Sequence, residues 1–199
     1  MMYPLKGIGT KPGIYKTQGF SENPQIYAQF GMKGHNGIDW AAPKGTPVYA
    51  VCDGKLIFGN DPNGYGIFAR IYMNDLDFVF GHFEKINGPA REVKEGEIIG
   101  YVNSSGFSTG NHLHFGVRKI INGQVVDYNN GYFGYFDPEL IFHMTNVKTV
   151  KNGSEYGFYV PATNEQAIID KALNFGIQIP TKEGGTRVDW DLFKADIVL

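Results

Sequence analysis

Between Asn103 and Arg118, a loop punctuated by Gly106 and Gly110 runs into His112-Leu113-His114-Phe115, where imidazoles alternate with large apolar side chains. Alternation at period two marks a half-buried strand, because side chains two apart on a strand share a face. Leu113 and Phe115 therefore point into a core, and both imidazoles point into one concave space on the other side. The stretch demands a sheet with one buried face and one face open to a groove. Imidazole is the commonest side-chain ligand for zinc and the commonest acid–base group at neutral pH. Two of them on a rigid strand behind a glycine-flanked loop form half of a metal site.

A lone His-x-His pair is equally at home on a solvated strand, so the other histidines decide the matter. The chain holds five: His35, His82, His112, His114 and His143. His35 stands in Gly34-His35-Asn36-Gly37-Ile38-Asp39-Trp40, a His-x3-Asp pair whose internal glycine argues for a strand or bend over a helix. His82 ends another alternating run, Phe78 to Phe83. His143 matches no pattern and reads as structural or exposed.

From Thr46 to Ile120 the chain reads as short strands separated by turn residues. Asp53-Gly54 parts Val48–Val51 from Lys55–Phe58 and predicts a hairpin between them. Asn60 to Gly66 is a loop, followed by alternation of Ile67, Ala69, Ile71 and Met73 with Phe68, Arg70 and Tyr72. Asn74-Asp75 and Glu95-Gly96-Glu97 are further turns. With 27 glycines, 12 tyrosines and 15 phenylalanines, the composition leans toward β structure with a real core. The fold class expected is mainly β: an antiparallel sheet carrying a groove, with a small, partly helical C-terminal extension.

These motifs occur together, in order, in a known family. His35-x3-Asp39, Lys44 to Ala50 with Asp53-Gly54, Gly81-His82-Phe83, Val93 to Gly100, and Ser108 to Phe115 resemble the lysostaphin-type, LytM-like zinc endopeptidases that cut peptidoglycan peptides, the M23 metallopeptidases. The likeness spans roughly residues 20 to 142 and ends at Phe136-Asp137-Pro138, similar to that family's closing Asp-Pro. It implies a lysostaphin-like sheet related to the barrel-sandwich hybrid. Asn111 stands where proline is usual and Phe83 where leucine is usual; neither change removes a functional group.

A hydrolytic zinc site needs three protein ligands and an open position for water. The resemblance assigns His35, Asp39 and His114 to one Zn2+ per chain. Zinc would lower the pKa of bound water from ~15.7 toward ~7 and polarise the scissile carbonyl. It assigns His82 and His112 to catalysis, one taking a proton from water and the other stabilising the oxyanion or protonating the leaving amine. Asn23, Tyr27 and Tyr65 are the candidates for substrate contact.

The expected organisation is an irregular N-terminal segment over 1–34 packing on the sheet, a catalytic domain over 35–142, and an extension over 143–199. Thr163-Asn164-Glu165-Gln166 is a capping-box pattern, and Ile168 to Phe175 recur at helical spacing, which predicts a helix near 164–175. The expected partner is bacterial peptidoglycan. A net charge of -2 gives no sign of nucleic acid, no run is long enough for membrane insertion, and the single cysteine, Cys52, precludes an internal disulfide.

Two other readings follow from the same residues. One is a non-catalytic LytM-like module that binds the wall or activates another protein. The other is a biotinyl- or lipoyl-like carrier with Lys55 as the modified lysine. The start, Met1 to Gly7, lacks the apolar region of a secretion signal. A wall hydrolase of this kind is expected to be delivered by other means, with a bacteriophage favoured. It would be virion-associated or released at lysis, with the C-terminal extension meeting a phage tail or other virion protein; secretion after processing is the alternative.

Overall fold

The stretch around His112 forms the longest described strand, His112–Ile121, and the sheet is built outward from it. The computed structural model describes residues 1–142 in full and, beyond them, the backbone of 143–144, 148–152, 155–159, 181–182 and 185–186. Two compact units divide the chain, Met1–Pro138 and Glu139–Leu199.

In chain order the first unit contains β1 (Tyr15–Gln18), a single helical turn α1 (Pro24–Tyr27) running into a 3-10 turn (Ala28–Phe30), β2 (Ile38–Ala41), β3 (Pro47–Tyr49), β4 (Gly54–Asp61), β5 (Gly66–Met73), β6 (Leu76–Gly81), β7 (Arg91–Val93), β8 (Ile98–Tyr101), β9 (His112–Ile121), β10 (Gln124–Val125) and β11 (Tyr135–Phe136). The main sheet runs β1-β2-β9-β6-β5-β4-β7, with β10 and β11 also paired to β9. The pairings among these strands are antiparallel, so the fold is mainly β as the residue pattern predicts.

Register puts the core on one face. Phe115 faces Phe80 of β6 and Ile38 of β2, while Val117 faces Phe78 and Leu113 faces Trp40. Phe78, Phe80, Leu113, Phe115 and Val117 are fully buried. Each such side chain removed from water contributes about 1.5–3 kcal/mol. Phe78 and Phe115 stack with planes 15° apart. The opposite face of β9 carries His112, His114, Gly116 and Arg118.

The hairpin expected at Asp53-Gly54 does not form. β3 pairs with β8, Val48 opposite Gly100, in a separate two-stranded sheet, and β4 pairs with β5 and β7. The chain from Ala50 to Cys52 is buried throughout, so it is no half-exposed strand. Asp53 instead accepts hydrogen bonds from the Lys94 ammonium and the Glu95 backbone N–H. Gly54 is needed for close approach, since a β carbon there would lie 2.4 Å from the Tyr72 carbonyl oxygen. Lys55 lies within β4, paired to Tyr72 on one side and Glu92 on the other. A lysine inside a strand is not at the hairpin tip a carrier requires.

The N-terminal segment is less irregular than its prolines suggest. It contributes β1 to the sheet edge and α1 beside the groove, within the same unit as the sheet. The second unit contains α2 (Glu139–Met144), the hairpin of β12 (Lys148–Asn152) with β13 (Glu155–Tyr159), and the short pair β14 (Thr181–Lys182) with β15 (Gly185–Thr186). The helix expected near 164–175 lies outside the described residues.

Candidate metal centre and cleft

His35 stands just before β2, Asp39 is the second residue of β2, and His114 faces Asp39 across the β2–β9 ladder. Their side chains converge. His35 Nε2 lies 2.9 Å from His114 Nδ1 and 3.1 Å from Asp39 Oδ1, and His114 Nδ1 lies 3.0 Å from the same oxygen. The approach is possible because residue 37 is glycine: a β carbon there would sit 2.4 Å from the Phe115 carbonyl oxygen and 2.7 Å from His114 Cε1.

The tautomers follow from the partners. The His35 Nδ1–H donates to the Gly19 carbonyl over 3.0 Å, which leaves the Nε2 lone pair facing the trio. A ring nitrogen held on a carbonyl is how a metal-ligating histidine is usually oriented. Ligand atoms in a tetrahedral zinc site with ~2.0–2.1 Å bonds stand ~3.3 Å apart. The triangle of two imidazole nitrogens and one carboxylate oxygen fits that donor set, and these three residues form a metal-capable cluster among the described residues.

Burial opposes ionisation of Asp39, but the His114 and His35 rings beside it outweigh that effect and hold the carboxyl well below the usual range. Burial pushes the His114 imidazole down to about 4 against the pull of Asp39. An ionised Asp39 and a neutral His114 ring are the states a cation needs from these two donors.

His82 and His112 stand beside the trio with ring centroids 4.4 Å apart. They are oriented alike. The His82 Nδ1–H donates to the Ser105 carbonyl over 2.7 Å, and the His112 Nδ1–H to the Gly110 carbonyl over 2.8 Å. Each Nε2 is thereby left with its lone pair, and that of His112 lies 3.6 Å from Asp39 Oδ2. Burial, reinforced by His114 and His112, pushes the His82 imidazole down to about 3. His82 also has φ 65°, a left-handed conformation that costs a non-glycine residue of order 1–3 kcal/mol. Its N–H bond to the Tyr65 carbonyl and the Ser105 contact hold it there.

A cleft of about 580 Å³ opens over these groups. Gln18, Ile26, Tyr27, Phe30 and Met32 line it from the N-terminal segment, Phe107, Ser108 and Thr109 from the loop before β9, Asp61 from the end of β4 and Tyr65 from the turn before β5. The Tyr27 ring lies 5.2 Å from that of His35, and the Tyr65 ring 5.1 Å from that of His114. Tyr65 is held by its hydroxyl, which accepts from the Asn36 amide at 2.7 Å. Of the three candidates for substrate contact, Tyr27 and Tyr65 line the cleft and Asn23 does not. Asn23 is exposed in a left-handed conformation at the start of α1, where its carbonyl accepts from the Ile26 N–H.

Two contributors escape sequence reasoning. Gln18 enters the cleft from an edge strand, and Ser105 braces its wall: its hydroxyl accepts from the Ile67 N–H and donates to the Phe83 carbonyl. Neither stands in a motif; only the pairing of distant segments selects them.

Comparison with known proteins agrees with this geometry. The pattern of the family described as "Peptidase family M23" matches residues 33–128. The chain is 38% identical over 123 residues to the DD-carboxypeptidase/endopeptidase Mpg of Neisseria meningitidis, covering 55% of this chain and 28% of that protein. It is 38% identical over 93 residues to lysostaphin of Staphylococcus simulans, covering 44% of this chain and 18% of that one. The chain thus spans less than a third of the length of these two relatives. It superposes on the catalytic domain of Staphylococcus simulans lysostaphin with a TM-score of 0.51 and 30% identity, over 63% of this chain and 90% of that domain. The chain belongs to peptidase family M23.

Proposed function

We propose that the protein is a zinc-dependent endopeptidase that hydrolyses peptide bonds in bacterial peptidoglycan. The observation that carries this reading is the convergence of His35 Nε2, Asp39 Oδ1 and His114 Nδ1 beside two further imidazoles whose Nε2 lone pairs are left free of backbone. His35, Asp39 and His114 hold the zinc, which when bound supplies a Lewis acid and acidifies water toward neutral pH.

The remaining work falls to the chain's own side chains. The Nε2 atoms of His82 and His112 handle protons: one receives the proton of the attacking water, and the other serves the oxyanion or the departing amide nitrogen. An amide nitrogen is a poor leaving group, so such assistance is worth about 10²–10⁴-fold. Anchoring both rings through Nδ1 fixes their direction before substrate arrives. Tyr27 and Tyr65 flank the ligands, their rings packed against those of His35 and His114.

Purified sacculi incubated with the protein should release peptides with new amino termini. Chelation should stop release and added zinc should restore it. Sacculi left intact by zinc-loaded protein would refute the endopeptidase reading and favour a binding module. Phage delivery belongs to the same proposal, and immunodetection of the chain on purified virions tests it.

A further inference from the structure

β1 and β2 are not in simple register. Tyr15 pairs with Ala41 and Lys16 with Trp40, but the next partner of Asp39 is Gln18, so Thr17 is an extra residue in a β-bulge. Without the bulge Thr17 would face Asp39. With it, Gln18 takes that place and shares the face of a metal-ligand residue. Thr17 pins the bulge, its hydroxyl donating to the Asp39 carbonyl over 3.3 Å. Gly19, the next residue, accepts the His35 Nδ1–H. Gln18 is thus indexed against two of the three converging side chains, opposite one and adjacent to the anchor of the other.

The Gln18 side chain has one end occupied. The Tyr27 hydroxyl donates to Oε1 over 3.1 Å, which fixes the carboxamide. Its Nε2 is buried, lacks a hydrogen-bond partner, and belongs to a residue lining the cleft. Buried amide donors are nearly always satisfied, so a donor without an acceptor beside a cleft is built for an acceptor that arrives. A peptide chain supplies such acceptors at every residue through its carbonyl oxygens.

We infer that Gln18 Nε2–H donates to a backbone carbonyl of the peptide in the cleft and sets the scissile bond over the converging side chains. The inference rests on the peptidase reading and adds a substrate-contacting residue to it. Because it addresses backbone, the contact serves glycine as well as any other residue.

Two variants separate this role from a structural one. Gln18→Glu keeps an oxygen for the Tyr27 hydroxyl and removes the donor, and Gln18→Met removes both at nearly the same length. Each is measured for zinc content, for kcat and KM on sacculi, and for affinity toward muramidase-solubilised muropeptides in metal-free protein. Both should retain zinc. Both should lose about tenfold in muropeptide affinity and in kcat/KM, the effect of one hydrogen bond of about 1.4 kcal/mol. Tyr27→Phe should cost less, and adding it to Gln18→Glu should change little.

Wild-type affinity and turnover in Gln18→Glu would overturn the assignment while leaving the endopeptidase reading intact. So would zinc loss in that variant, which would make Gln18 a support of the metal site, or a Gln18→Met loss matched in full by Tyr27→Phe alone. A wild-type protein that neither binds muropeptides nor cuts sacculi would overturn both readings.

Discussion

Gly37 and Phe115 approach so closely across the β2–β9 ladder that a β carbon on residue 37 would lie 2.4 Å from the Phe115 carbonyl oxygen. The glycine is what lets the His35–Asp39 segment lie against His114. Gly37→Ala must move backbone, because the obstructing atom is a carbonyl and not the end of a flexible side chain. We expect a loss of about 1–3 kcal/mol in stability together with weakened zinc retention. Denaturant unfolding and elemental analysis check both effects; an unchanged midpoint would show that the ladder yields freely.

The five site residues should divide into two classes under substitution. His35→Ala, Asp39→Ala and His114→Ala should lose zinc, because each removes one of three converging donor atoms. His82→Ala and His112→Ala should keep stoichiometric zinc and lose about 10²-fold or more in turnover. Metal content and peptide release, measured on the same preparations, check this. Stoichiometric zinc in His114→Ala would contradict the ligand assignment.

Acid should destabilise the chelator-stripped protein early. His82 is pushed down to about 3 and His114 to about 4, against about 6.5 for a free imidazole. Below pH about 6.5 the unfolded chain takes up protons that the folded chain refuses, so stability falls as pH falls from there through 4 toward 3. Above that window the contribution is fully present. Melting temperatures between pH 7 and pH 4 should fall less steeply in His82→Phe, which has no proton to gain. Parallel curves would mean that His82 titrates freely in the folded state.

Farther along the site face of the sheet, Asp77 is fully buried between Arg70 and Arg118, both of which donate to its Oδ2. Arg70 also donates to the Tyr135 hydroxyl. Asp77→Ala would leave two guanidinium groups without their carboxylate in a largely buried setting. We expect a cost of about 3–5 kcal/mol. Asp77→Asn should cost less, since one acceptor oxygen remains; equal stability of the wild type and Asp77→Ala by denaturant titration would show the cluster to be well solvated.

What the sequence determined by itself is local and periodic. The alternation from His112 to Val117 assigns one face of a strand to the core and the other to a groove, because strand side chains alternate whatever surrounds them. The spacing of His35, Gly37 and Asp39 predicts an extended segment, and ordered motifs identify the family.

Pairing was decided elsewhere. Asp53-Gly54 has the composition of a hairpin turn, yet β3 found β8 and β4 found β5 and β7, because buried neighbours and the Lys94–Glu95 turn outweigh local turn propensity. The same holds for the cleft. Asn23 and Gln18 are both polar residues of the N-terminal segment, and no spacing rule separates them. A bulge at Thr17, set by the register of β1 on β2, turns Gln18 toward Asp39, while a left-handed turn at the start of α1 leaves Asn23 exposed. Register is a long-range property: a one-residue slip reverses every side chain on a strand, so only the folded sheet selects which polar residue reaches the cleft.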